Sequence, residues 1–330
     1  MPSYSVPLRD MKFVYNELFD PTDISALPGF EDATEDLINP ILEEAARLAE
    51  NELFPLNTTG DLEGCQFDNG HVTTPQGFID AYKQYAEGGW VGLPCDPKYG
   101  GQGIPAAVNV LMEEMACSAN VSFATYVGLT RGAYRAVNTF ANDDLKNQFL
   151  PKMVSGEWSG TMCLTEPQCG TDLGLIKTKA ALQSDGTYTL SGTKIFITAG
   201  EHDLTQNIIH LVLGRLPDAP KGIKGISLFL VPKFLPDTEG NPSTRNPIFC
   251  ARIENKMGIK ASATCEMNLD GATGWLVGEP HKGMRAMFTM MNDARLGVGI
   301  QGLGIGESAY QAAATYARDR QQGRALTGAK

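Results

Sequence analysis

Two stretches of the chain combine residue types that could hold a ligand. In T-M-C-L-T-E-P-Q-C-G-T-D (161–172), an apolar run of Met162, Cys163 and Leu164 ends in Thr165, Glu166 and Pro167. Gly170, Thr171 and Asp172 follow. In K-I-F-I-T-A-G-E-H-D (194–203), a second apolar run ends in Thr198 and reaches Gly200 two residues later. Each reads as a buried strand that delivers a threonine and backbone donors to the edge of a domain. Side chains alternate along a strand, so Phe196 shares a face with Thr198.

The plain reading is two strand ends and two turns without a ligand. The sharper reading is a site for a flat ring, apolar at one end and hydrogen-bonding at the other. A flavin is such a ring. Its reduction places negative charge near N1 and O2, where preorganised hydroxyl and N–H donors stabilise it.

Other candidate chemistry is weaker. G-V-G-I-Q-G (297–302) has the spacing of a dinucleotide loop, but that loop needs a strand before it, and M-R-A-M-F-T-M-M-N-D-A-R has helical period. A helix this rich in glycine costs about 1 kcal/mol per Gly relative to Ala, which points to close packing against a neighbouring helix. Cys163 and Cys169 flank the first stretch without a basic neighbour in sequence, and read as packing residues. Glu43-Glu44 and Glu113-Glu114 read as solvated helix faces. No G-x-S-x-G or H-E-x-x-H occurs.

The bulk numbers agree with an ordinary globular chain. It has 330 residues, 42% of them hydrophobic, a formal charge of -11 and a pI near 4.9. No clustered basic surface marks a nucleic-acid binder. Seven cysteines without a C-x-x-C, and four scattered histidines, argue against a disulfide framework or metal site and for a reducing cytoplasm. No apolar run is long enough to span a bilayer, and residues 1–20 lack the apolar core of a signal peptide.

The elements that must position the two stretches follow from periodicity. Residues 1–33 show no clean period and read as an extension along the surface. Residues 34–157 read as a helical domain. In it, Leu42, Ala45, Ala46, Ala49 and Leu53 share one face of a helix that Pro55 stops. Pro75 opens a second helix, which Gly88-Gly89 close. Helical patterns resume at 105–118, 121–140 and 143–154, with Asn142 as N-cap of the last. Residues 158–278 read as an all-β domain of six to eight strands, with a hairpin at Ser184-Asp185-Gly186. Residues 279–330 read as the beginning of a C-terminal helical domain. The fold class is α+β: a helical domain, a middle β domain, then the start of a helical bundle.

Four segments in this order resemble the acyl-CoA dehydrogenases. G-W-V-G-L-P with Y-G-G-Q-G-I-P (89–105) is similar to their N-terminal helical domain. M-C-L-T-E-P-Q-C-G-T-D (162–172) and K-I-F-I-T-A-G (194–200) are similar to their two flavin segments. Y-A-R-D-R-Q-Q-G-R (316–324) is similar to the arginine segment of their C-terminal domain. Y-S-V-P-L-R-D-M-K-F and A-G-E-H-D-L-T point to the longer, 3-methylmercaptopropionyl-CoA dehydrogenase-like branch.

The resemblance implies FAD lined by Met162, Leu164, Thr165, Gly170, Thr171, Phe196, Ile197 and Thr198. Thr165 would donate to the pyrimidine end, Phe196 would pack on the ring, and Thr198 would approach N5. Arg320 would reach the FAD of a neighbouring subunit, which implies a homo-oligomer. Thr171, Asn292 and Arg295 would hold an acyl-CoA, although the family more often has Asp at the position of Asn292. The implied reaction is α,β-dehydrogenation of the thioester: a carboxylate removes the α-proton, and the β-hydrogen passes as hydride to the flavin. An acyl-CoA oxidase would share the flavin site, and a non-catalytic relative would keep binding without the base.

The base is the point of departure. The family usually places a glutamate late in its C-terminal domain, and some members place it directly before the arginine matching Arg295. That position is Ala294 here. No substitute stands out, so the chain is expected to be the N-terminal portion of a longer enzyme, with no catalytic base of its own.

Overall fold

The computed structural model describes residues 4–323 and 326–327. Arg324 of the expected arginine segment lies outside the described residues. The extension is not featureless. It forms α1 (Leu8–Phe13), a π-turn at Val14–Leu18 and α2 (Pro21–Ser25). Tyr4, Val6, Met11 and Tyr15 are buried. The Val6 amide donates to Glu50 Oε1 at 2.6 Å, and Lys12 pairs with Glu43 at 2.6 Å. Short helical turns held by tertiary contacts leave no period in a sequence.

α3 (Glu35–Leu48) buries the expected face through Leu42, Ala45 and Ala46, and Ala49 and Leu53 continue it. Pro55 does not stop the helix. A π-turn at Ala49–Leu53 absorbs it: the Phe54 amide bonds to Ala49 O at 2.9 Å, and Pro55 becomes the first residue of α4 (Pro55–Glu63). Proline is tolerated at a helix start because its missing N–H would lack a partner there.

A hairpin interrupts the helices, β1 (Gln66–Asp68) against β2 (His71–Thr73). Its Asn69-Gly70 turn has both residues at positive φ, 47° and 88°, as a tight hairpin requires. α5 (Phe78–Glu87) ends at Gly88 as expected. α6 (Ala106–Phe140) is two helices joined at Asn120, where φ is -159° and ψ 89°. Asn120 caps the second half: its Oδ1 accepts from the Phe123 amide at 3.1 Å, while Nδ2 donates to Leu53 O at 3.2 Å. α7 (Asp143–Val154) follows. Its Asn142 cap accepts from the Leu145 amide at 2.9 Å.

Nine strands then run in order: β3 (Trp158–Cys163), β4 (Lys179–Leu182), β5 (Tyr188–Thr198), β6 (Asn207–Arg215), β7 (Ile226–Pro232), β8 (Phe234–Pro236), β9 (Pro242–Arg245), β10 (Ile248–Ile253) and β11 (Thr264–Val277). Seven form one sheet, and β8 with β9 makes a separate ribbon that the alternation did not show. The path β11-β5-β4-β6-β7 returns to β11, so five strands close into a ring. β3 adds parallel to β6 and β10 antiparallel to β11. Closure removes exposed edges and turns one face into a core. Phe229, Val212, Ile197 and Met267 fill it.

α8 (Gly283–Asp319) carries the G-V-G-I-Q-G string inside a helix, with no strand before it. Of the five glycines between 297 and 306, only Gly304 is closely packed. A Cβ there would meet the Ser118 amide of α6 at 2.9 Å, whereas Gly297, Gly299, Gly302 and Gly306 have nothing within 4 Å. Among the described residues, no helix is long and apolar enough to cross a membrane.

The Asn142 cap gives a direct test of this local logic. Asn142→Ala is expected to cost about 1 kcal/mol of unfolding free energy. Urea denaturation should show a lower midpoint at unchanged slope. An unchanged midpoint would show that the cap contributes nothing.

Candidate flavin and acyl-CoA site

The two stretches lie side by side. The Ile195 amide of β5 donates to Thr165 O at 2.9 Å, and Thr161 Oγ1 of β3 donates to Thr198 O at 2.5 Å. Beneath them Lys194 Nζ donates to Leu164 O at 3.0 Å and to Glu166 Oε1 at 2.8 Å. Both charges are buried, with side-chain exposures of 0% and 3%. Glu166 also accepts from the Lys177 and Thr178 amides, the Thr178 hydroxyl and Gln168 Nε2. A buried carboxylate satisfied on every side pins the loop that follows β3.

Sequence reasoning missed this pair. The signal was present: each stretch carries one charge of opposite sign beside apolar strand residues. It also misread Glu113 as solvated. Glu113 pairs with Arg131 and is largely buried.

The backbone around the second stretch is strained. Phe196 and Ala199 hold positive φ of 58° and 54°, where non-glycine residues are uncommon. At Phe196 the register against β11 slips between Cys265 and Met267, which is a β-bulge. The bulge lets Lys194 and Ile197 both turn inward and leaves Phe196 60% exposed, on the same side as half-buried Thr198.

The remaining expected site residues fall as follows. Met162 and Leu164 are half-buried beside the loop. A Cβ on Gly170 would sit 3.3 Å from Thr165 Cγ2, so the Gly170 backbone passes close over Thr165. Thr171 is exposed. Ile197 points its side chain into the barrel core, so only its backbone is available. The hydroxyls of Thr165, Thr171 and Thr198 make no hydrogen bond among the described residues. Nor do the amides of Thr165, Gly170 and Thr171.

Asn292 and Arg295 project from the exposed side of α8, where Arg295 Nη1 donates to Asn292 Oδ1 at 2.6 Å. Between them Asp293 turns the other way and pairs with Arg131 and Arg135 of α6. Arg320 is exposed just past the end of α8, its amide bonded to Tyr316 O at 2.9 Å.

Among the titratable groups of the two stretches, Cys163 is buried, Glu166 and Glu201 are held in ion pairs, and Asp172 and Asp203 are exposed. Burial pushes the Cys163 thiol up to about 12. Glu201 is held by Lys233 and Arg245, and Asp172 accepts from the Gly174 amide. His210 lies between Gly200 O, 2.8 Å from Nε2, and Val231 O, 3.0 Å from Nδ1, and its neutral ring donates to one of the two. Burial pushes its pKa down to about 4.

Burial alone would raise the Glu166 pKa. The Lys194 ammonium and the Thr178 and Lys177 hydrogen bonds outweigh it and hold the carboxyl at about 2. A depressed folded-state pKa stabilises above the unfolded value, and that gain is lost as pH falls. Stability should therefore drop by about 1.4 kcal/mol per pH unit below the ordinary glutamate pKa from this group alone. Urea unfolding from neutral pH down to pH 3 should show that slope, and Glu166→Gln should flatten it. An equal slope in the variant would show that the pair is not what the acid titrates.

Comparison with known proteins places this geometry. Residues 38–157 match the N-terminal domain and residues 161–272 the middle domain of acyl-CoA dehydrogenases. The chain is 46% identical to the 3-methylmercaptopropionyl-CoA dehydrogenase of Ruegeria pomeroyi, over 99% of this chain and 55% of that protein. It is 37% identical to a butyryl-CoA dehydrogenase of Syntrophomonas wolfei, over 99% of this chain and 56% of that one. The chain thus spans about half the length of the curated relatives it matches. Among solved structures, Megasphaera elsdenii butyryl-CoA dehydrogenase superposes with a TM-score of 0.72 at 28% identity, covering 88% of this chain and 70% of that one. A Bacillus anthracis acyl-CoA dehydrogenase complexed with FAD gives 0.72 at 26%, covering 88% and 46%. Two consecutive domains of one family, met in the family's order and with its two strand ends stitched together, settle the assignment: the chain belongs to the acyl-CoA dehydrogenase family.

Proposed function

We propose that this chain supplies the FAD-binding and part of the acyl-CoA-binding surface for α,β-dehydrogenation of an acyl-CoA thioester. The observation that carries the reading is the pair of stitched strand ends, Thr165 and Thr198, whose hydroxyls have no protein partner. Unpartnered donors beside an exposed aromatic suit a ring with one polar and one apolar end. A bound FAD would supply the hydride acceptor.

The chain's own residues do the positioning. Thr165, with its free amide and hydroxyl, would donate to the polar edge of the ring. Phe196, held outward by the bulge, would pack on the ring beside Thr198. Gly170 lets the loop backbone pass close, and Thr171 offers a hydroxyl toward the bound molecules. Met162 and Leu164 exclude water from the ring's flank, and Ile197 anchors the strand from inside. Lys194, paired with Glu166, holds the Leu164 carbonyl and so fixes the backbone that leads into Thr165. Asn292 and Arg295 would offer a polar grip on the acyl-CoA, and exposed Arg320 would serve the flavin of a second copy in a homo-oligomer.

The proton acceptor is not among these residues, because Ala294 cannot act and Glu166 and Glu201 are held in ion pairs. Turnover of an acyl-CoA by a verified 330-residue chain, with flavin reduction, would refute that assignment.

The binding claim is tested by titrating FAD into the purified chain and following flavin fluorescence. Thr165→Ala and Thr198→Ala should each weaken binding roughly five- to twentyfold, the worth of one hydrogen bond. Unchanged affinity in both variants would remove the site from these strands.

A further inference from the structure

Tyr126 lies in the second half of α6, fully buried, and its hydroxyl is engaged by the β domain. It accepts from the Ala263 amide at 2.9 Å and donates to Ala261 O at 3.1 Å. Residues 261–263 belong to the turn ahead of β11, outside the regular strand. With the phenol proton on Ala261 O, the Cys65 thiol can donate to the same oxygen from 3.6 Å. The segment so gripped has a second contact: Ala263 O accepts from the Ala199 amide at 2.8 Å. Ala199 follows Thr198 and holds the left-handed φ of 54°. The Thr198–Ala199 peptide is therefore held at both ends, by Thr161 Oγ1 on its oxygen and by Ala263 O on its N–H. The Tyr126 ring meets the same turn, edge-on to His202 at 5.2 Å between centroids.

Packing of the helical domain on the β domain does not require the hydroxyl. A phenylalanine would fill nearly the same volume, and Thr125 and Lys256 already hold Ser262. What the hydroxyl adds is a fixed place for the acceptor of the Ala199 amide. A left-handed alanine is strained and keeps its conformation only while its surroundings over-determine it. We infer that Tyr126 is a positioning residue for the flavin: it fixes Ala263 O, Ala263 O fixes the Thr198–Ala199 peptide, and that peptide aims the Thr198 hydroxyl. This rests on the flavin reading above. Tyr126 touches no part of the ring itself, and its effect passes through Thr198.

The test is a double-variant cycle. FAD is titrated into each purified chain by flavin fluorescence, and the midpoint potential of the bound flavin is measured. Tyr126→Phe should weaken FAD binding about fivefold and move the potential in the same direction as Thr198→Ala. In the Thr198→Ala background it should change neither, because no hydroxyl is left to aim. Tyr82→Phe is the control for a merely structural loss. Tyr82 is also buried, and its hydroxyl donates to Gly156 O at 3.1 Å, outside both stretches. That variant should keep the wild-type affinity and potential. Losses that multiply in the double variant, equal effects of the two tyrosine changes, or wild-type behaviour of Tyr126→Phe overturn the positioning role and leave the flavin reading standing. A second readout needs no variant to fold: the Ala199 amide of the flavin-free wild type should be protected from hydrogen exchange, and rapid exchange there overturns the role as well. Wild-type affinity and potential in Thr198→Ala, or no FAD binding by the wild-type chain, overturn the role together with the placement of Thr198 beside a flavin.

Discussion

A lysine ammonium and a glutamate carboxylate buried together persist only if every donor and acceptor finds a partner. Lys194 and Glu166 meet that condition by recruiting backbone from the first candidate stretch and from the segment that leads into β4. Lys194 reaches the Leu164 carbonyl, and Glu166 collects the Lys177 and Thr178 amides. Removing either charge would strand the other. The pair also costs desolvation, so stability alone does not account for it. What it secures is geometry, because the loop after β3 and the end of β5 can take only one relative position while the pair is intact.

The same position demands strain. A regular β5 could not turn Lys194 and Ile197 inward together, because two inward residues three apart break the alternation. The bulge at Phe196 resolves the conflict with one left-handed residue, and a second follows at Ala199. Each such residue costs on the order of 1 kcal/mol or more. What the strained backbone fixes is Phe196, turned outward on the face of Thr198.

Much of this was legible in the chain, for physical reasons that differ by element. The buried face of α3 and the Asn142 cap depend on contacts within a turn or two, and local spacing reports them. The two strand ends were legible because threonine and glycine after an apolar run are unusual enough to draw notice. Pro55 was misjudged because a π-turn, which no local rule signals, supplied the slack. Glu113 was misjudged because its partner, Arg131, sits eighteen residues later on α6, across the kink at Asn120. That fold-back brings together residues that a single straight helix would keep apart. The glycines of α8 drew a packing explanation that holds at Gly304 and not at its neighbours.

The second half of α6 then explains how the two halves of the site keep register. Tyr126 takes the Ala263 amide at 2.9 Å and gives its hydroxyl proton to Ala261 O at 3.1 Å. One turn later Thr130 Oγ1 accepts from the Gly160 amide of β3 at 3.1 Å, and a Cβ on Gly160 would sit 2.5 Å from Ala133. Arg131 and Arg135, on an adjoining face, hold Asp293 of α8. The second half of α6 thus grips the strand that leads into the 164–172 loop and the helix that carries Asn292 and Arg295. Bimolecular chemistry between a bound ring and a bound thioester depends steeply on separation and angle, with errors of an ångström costing orders of magnitude. The proposed site, assembled from separate domains, would meet that tolerance only if a common element spanned both, and α6 would be that element.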